Sequence, residues 1–153
     1  MTAQKNEIKE PAVDNRKARF DYEILESFEV GIVLSGTEVK SIRNGVVGLR
    51  EAYAKIRNNE IYLIGLHIPL YKEGSVFNHE PRRERKLLLH KKEILRLIQL
   101  TAEKGLSLVP LRMYFTRGRV KLQLAVGRGK KSWDKRRAIA DRESKRDLAR
   151  FAR

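Results

Sequence analysis

Two hairpin patterns fix most of what this chain can become. In residues 52 to 67, the runs AYAKIR and EIYLIGLH flank Asn58-Asn59, a pair that tolerates the positive φ of a tight turn. Further on, LSLVPLRMYF and RVKLQLAV alternate on either side of a turn containing Gly118. Leu111, Met113 and Phe115 face the same way as Val120, Leu122, Leu124 and Val126, which leaves Arg119, Lys121 and Gln123 on the opposite face. Links this short cannot make the crossover that parallel strands need, so the sheet must be antiparallel.

The rest of the pattern fits the same architecture. From Phe20, the stretch FDYEILESFEVGIVL places Phe20, Tyr22, Ile24 and then Phe28, Val30, Ile32 at strand spacing, with a phase slip near Leu25 that predicts a bulge. Thr37 and Glu38 predict a short capped helix through Val39, Ile42 and Arg43, stopped by Asn44-Gly45. Ile94, Leu95, Leu97, Ile98 and Ala102 recur at helical spacing between Lys91 and Lys104, with Gly105 as the stop. Pro69, Gly74, Asn78 and Pro81 punctuate a long loop that runs into Arg82, Arg83, Arg85 and Lys86.

Five or six antiparallel strands around one long helix predict an α+β domain that is mainly β, a small OB-like barrel with a further short helix and a basic C-terminal tail. The expected organisation is a flexible lead over residues 1–15, the barrel over 16–128 and the tail over 129–153. A chain of 153 residues suits one such domain.

Charge then narrows the function. The chain carries net +15, and its last twenty-seven residues hold eleven Lys or Arg against four acids. Such a tail buries too little apolar surface to order itself alone, so it is expected to be disordered until a polyanion holds it. Beyond Arg137, Asp141 with Lys145, Glu143 with Arg146 and Asp147 with Arg150 stand at helical spacing, so the tail is poised to become helical when bound. Nucleic acid is the expected partner, because neutralising phosphates releases counterions. No stretch approaches the roughly twenty apolar residues of a membrane span, and the tail lacks the apolar face of an interfacial helix. Without cysteine there is no disulfide and no thiolate metal site. MTAQKNEIKEPAVDN lacks the apolar run of a secretory signal, so a cytoplasmic protein is expected.

Four motifs, GTEVKS at 36–41, RKLLLH at 85–90, KGLSLVPLRMYF at 104–115 and GKKSWDKR at 129–136, together closely resemble the SmpB family of bacterial tmRNA-binding proteins. The resemblance runs in order from about Asn15 to Arg137. It implies an OB-fold adaptor that binds the tRNA-like part of tmRNA and delivers it to stalled ribosomes for trans-translation, with the tail in the decoding centre and the empty mRNA channel. Its partners would be tmRNA and the stalled ribosome, including small-subunit ribosomal RNA, with no membrane and no small-molecule substrate.

Carried over residue by residue, the resemblance assigns tmRNA binding to Arg16, Lys17, Arg19, Glu29, Lys40, Ser41, Arg43, Arg85, Lys86, Leu88 and Lys121. Lys40 and Arg43 would touch the RNA backbone, and Ser41 would donate to a phosphate. Glu29 would accept hydrogen bonds from a base edge, Leu88 would pack on an unstacked base and Lys121 would contact a phosphate. Lys130, Lys131, Trp133, Asp134, Lys135 and Arg136 would work on the ribosome, with Trp133 stacking on a base. Relatives often carry histidine where this chain has Phe20; stacking survives that change, a hydrogen bond does not, and a core-facing Phe20 explains the position equally well.

Taken singly, these motifs have plainer explanations. A capped surface helix accounts for GTEVKS, a solvated charge run for Asn15–Arg19, and core packing for Leu88. An enzyme is not expected, since His67, His79 and His90 share no readable geometry with acids such as Glu80 and Glu93. GRGKK lacks the spacing of a phosphate-binding loop, and three scattered histidines do not make a zinc site, so no cofactor and no metal are expected. The alternative is a general basic OB-fold RNA-binding protein or a structural protein of the ribosome, which would discriminate poorly among structured RNAs.

Overall fold

A computed structural model describes residues 11–45, 47–73, 78–103 and 105–151, with the backbone alone for 132–134. In chain order the elements are β1 (Val13–Asp14), α1 (Arg16–Asp21), β2 (Tyr22–Ile32), α2 (Gly36–Arg43), β3 (Tyr53–Arg57), β4 (Glu60–Ile64), β5 (Arg85–Leu88), α3 (Lys91–Thr101), β6 (Leu106–Thr116), β7 (Arg119–Gly129) and α4 (Ser132–Phe151).

Every strand pairing is antiparallel, in the order β1-β6-β3-β4-β5-β2-β7, and β6 also pairs with β7. The pairing therefore closes on itself as an OB-like sheet of six strands with β1 added outside β6. Both tight hairpins turn through two residues at positive φ, Asn58 (52°) and Asn59 (60°) in one, Arg117 (51°) and Gly118 (74°) in the other. Ile61, Leu63, Leu66, Ile68, Leu122 and Leu124 are fully buried inside, together with Leu97 from α3. The expected bulge lies between Ile24 and Glu26.

Four local readings need correcting. The strand expected from Phe20 begins at Tyr22 as β2, because residues 16–21 form α1. Asn15 caps this helix, accepting from Ala18 N at 3.1 Å and donating to the carbonyls of Pro110 (2.9 Å) and Leu49 (3.2 Å). Ordered pairing thus starts at Val13, inside the stretch read as a lead, while residues 1–10 lie outside the described ones. A second bulge, between Pro110 and Arg112, turns Leu111 outward, away from Met113. Leu111 joins Val109, Ala125 and Ala18 in a small separate core that fastens α1 to the sheet. The cap of α2 is Ser35, which forms a capping box with Glu38.

Candidate RNA-binding surface

Directly paired residues share a face of a sheet, so register alone assembles the outer surface. Gly31 pairs with Leu88 on one side and Lys121 on the other, and Lys121 pairs with Tyr114, which makes one row, Leu88–Gly31–Lys121–Tyr114, across β5, β2, β7 and β6. Beside it runs Glu29–Gln123–Arg112–Asp14. Glu29, Leu88 and Lys121, far apart in sequence, are thereby brought together.

Leu88 is 52 % exposed and lies against bare Gly31, where an added Cβ would stand 3.2 Å from the Leu88 Cβ. The result is a flat apolar platform beside a cation. Tyr114 Oη donates to the Glu29 carboxylate, linking the two rows. Burial first, and then that carboxylate, push the Tyr114 hydroxyl up to about 12, so it stays a donor at neutral pH and Glu29 keeps its remaining lone pairs for another partner. Tyr114 and Arg112 were missed in the sequence because Tyr114 reads there as one more strand aromatic.

α2 divides its residues between surface and interior. Lys40 and Arg43 are exposed, with Lys40 Nζ 5.7 Å from the Tyr71 ring and the Arg43 guanidinium 5.0 Å from that of Phe115. Ser41 and Arg85 are different. Ser41 is buried and donates to Pro69 O at 2.6 Å, which takes it away from any phosphate. Arg85 is fully buried, bonded to the Glu38 carboxylate and donating to Leu66 O (2.7 Å) and Pro81 O (3.1 Å). Both assignments to RNA are therefore corrected: these side chains hold the loop and β5 against α2.

Arg83 completes the arrangement at 2.6 Å from Glu38. Burial raises the Glu38 carboxyl, but hydrogen bonds from Ser35 N, Arg83 and Arg85 outweigh it and hold the group below its ordinary value. Burial pulls the Arg85 guanidinium down, against the pull of Glu38. Lys86, next along β5, is half-buried and paired with Glu60 at 2.9 Å.

The tail starts against α1. Lys130 N donates to Asp21 O (2.8 Å) and Lys130 Nζ to Arg19 O (3.4 Å). Lys135 Nζ lies 3.2 Å from Asp21 Oδ1 and 5.8 Å from the half-buried Phe20 ring. Arg16 and Arg19 are exposed on the same short helix, and Lys17 faces Glu51 at 3.8 Å. Lys131 and Arg136 are exposed, whereas the side chains of Trp133 and Asp134 lie outside the described ones. Among the described residues, none of the spaced pairs Asp141–Lys145, Glu143–Arg146 and Asp147–Arg150 closes into an ion pair, although the helix is formed.

The histidines do not converge. His67 is bridged through its backbone to Gly48, His90 stands at the start of α3, and buried His79 sits between Thr37 Oγ1 and Ile68 O, each at 2.9 Å. Among the described residues, no three His, Asp or Glu side chains are placed to hold a metal ion.

A basic OB-like barrel with an aromatic and apolar outer row and a cationic helical tail is matched over residues 12–153 by the sequence model of the family SmpB protein. The chain belongs to the SmpB family. Similar proteins called SsrA-binding protein include those of Trichodesmium erythraeum (58 % identical, 90 % of this chain and 88 % of that one) and Desulforudis audaxviator (55 %, 91 % of each). The one from Symbiobacterium thermophilum is 53 % identical over all of this chain and 97 % of its own length. Among solved structures, a chain from "tmRNA-SmpB: a journey to the center of the bacterial ribosome" superposes with a TM-score of 0.68 at 52 % identity, covering 80 % of this chain and 86 % of that one. The family's fold is thus the α+β, OB-like antiparallel fold described above.

Proposed function

We propose that this protein is the RNA-binding adaptor of trans-translation: it binds the tRNA-like domain of tmRNA and delivers it to stalled ribosomes, so that incomplete proteins are tagged and the ribosomes released. The observation that carries this reading is membership of a family whose relatives, named for binding SsrA RNA, match barrel and tail together at more than half identity.

The barrel row supplies the tmRNA contacts. Leu88 and Tyr114 offer stacking surfaces, Lys121 a phosphate contact and Glu29 an acceptor for base amino or imino groups. Lys40, Arg43, Arg16, Arg19, Lys17 and Lys86 extend this surface as positioning contacts that carry no sequence information. Ser41 and Arg85 support it from within. Lys130, Lys131, Trp133, Asp134, Lys135, Arg136 and the cations beyond them act on small-subunit ribosomal RNA, in the decoding centre and mRNA path. Residues 1–15 precede the barrel proper, 16–128 form it, and 129–153 are a tail whose helix is only marginal until RNA neutralises its charge. The protein works by binding alone, without catalysis or cofactor, in the cytoplasm; no helix among the described residues is long and apolar enough to cross a membrane.

Competition binding at near-physiological salt tests the reading. Labelled tRNA-like domain should be displaced by tmRNA and resist tRNA and ribosomal RNA fragments; displacement by every RNA in proportion to its phosphates would make the chain a general basic RNA binder.

A further inference from the structure

The two tight hairpins of the barrel turn the same way with different residues. At Asn58-Asn59 the positive φ values fall on asparagines, which tolerate that region; at the β6–β7 tip the first central position is Arg117, with φ of 51°. Local backbone chemistry favours Asn, Asp or Gly at such a position, so the arginine answers a demand other than turn formation.

Its surroundings say what that demand is. Thr116, Arg117, Arg119 and Lys121 line an open concavity of about 570 Å³ that contains no acid. Arg117 and Arg119 are exposed, and neither has an ion-pair partner among the described residues. Several other cations of the barrel do stand against acids: Arg57 with Glu84 at 3.0 Å, Lys86 with Glu60 at 2.9 Å, Arg96 with Glu26 at 3.3 Å and Arg128 with Glu103 at 3.4 Å. The tip is also continuous with the outer row, because Lys121 is both a lining residue and the partner of Gly31 and Tyr114.

We propose that the β6–β7 tip is a phosphate clamp, in which Arg117 and Arg119 grip the backbone of the RNA lying across the Leu88–Lys121 row. Three cations free of acids provide the charge, and guanidinium forks match phosphate oxygens in pairs. The occupant is the RNA that the preceding section assigns to this face, so the inference rests on that reading for the identity of the RNA and on the tip's own geometry for the contact.

Arg117→Asn separates fold from function, since Asn relieves the backbone while removing the charge. Binding of the tRNA-like domain of tmRNA is measured from about 50 to 300 mM salt, beside an unrelated structured RNA of equal length. R117N is expected to keep or raise the thermal midpoint, weaken binding severalfold and flatten the slope of log K against log salt by about 0.7–0.9, with R117N/R119Q doubling that loss. Arg117→Lys should retain the slope. Wild-type affinity and slope in both asparagine-containing variants would overturn the clamp. Loss of slope on both RNAs alike, with no wild-type preference for the tRNA-like domain, would keep the clamp and overturn the adaptor reading.

Discussion

Barrel and tail handle charge in opposite ways. The barrel ties part of its charge to acids, most deeply where Glu38 holds Arg85 and Arg83 beneath α2, and cations it leaves unpaired among the described residues, such as Arg117 and Arg119, stand on a rigid surface. Along α4, contact with the rest of the molecule comes at the first turns, through Lys135 on Asp21 and Phe20, and from residue 141 to Phe151 every side chain is exposed. Ile139, Leu148 and Phe151 are 44, 70 and 91 % exposed, so no core holds this helix. A domain with a buried core keeps its shape without RNA whatever charges it shows, whereas a coreless segment of unpaired charges takes its order from whatever neutralises them. One chain thus carries a rigid surface and an adaptable one.

The largest effect that would break this contrast lies at its most buried point. Glu38→Gln leaves Arg85 buried without a counter-charge and should cost about 3–5 kcal/mol in urea unfolding, with the helicity of residues 136–151 unchanged. A cost near zero would mean that the barrel is not organised around that pair.

Acid probes the same group without mutation. The folded-state pKa of Glu38 lies below its ordinary 4.5, so its contribution is complete above that value and is lost as pH falls through the folded one. Tyr114 acts at the other end: raised from 10.0 to about 12, it contributes stability that is complete below pH 10 and declines between about 10 and 12. Thermal midpoints across pH should show both flanks, and Tyr114→Phe should weaken the alkaline one.

Smaller still is the joint between the two regions. Asp21→Asn removes one partly exposed ion pair, worth about 0.2–1 kcal/mol, so the barrel's unfolding midpoint should barely move. Energy transfer between dyes on β4 and near residue 148 should nonetheless broaden, and the exchanged pair Asp21→Lys with Lys135→Asp should narrow it again. An unchanged distance distribution in D21N would show that the backbone bond from Lys130 to Asp21 is sufficient to aim the tail.

What the sequence discloses follows the range of the interactions. Asn58-Asn59, the turn at Gly118, the bulge near Leu25 and the helix α3 are local patterns, and each lies where its spacing predicts, although Leu95 of α3 faces solvent and Leu100 packs on the core. α1 was hidden because Phe20, Tyr22 and Ile24 mimic strand alternation, while the decisive bonds of Asn15 go to Leu49 and Pro110. β5 reads as a basic cluster in the sequence because Glu38, the partner of Arg85, lies 47 residues away. Ser41 misled for the same reason, its acceptor being Pro69 in the loop. The outer row was legible as separate residues through family resemblance, but only the strand register shows that Leu88 and Lys121 flank one glycine.

The measurement that tests the division most directly is removal of Lys130–Arg153, followed by parallel assays of tmRNA affinity and of tagging on stalled ribosomes. If barrel and tail divide the work, affinity stays within about threefold of the full chain, less than 1 kcal/mol, and tagging is lost. An equal loss of both would contradict that division, because barrel and tail would then be one RNA-binding surface.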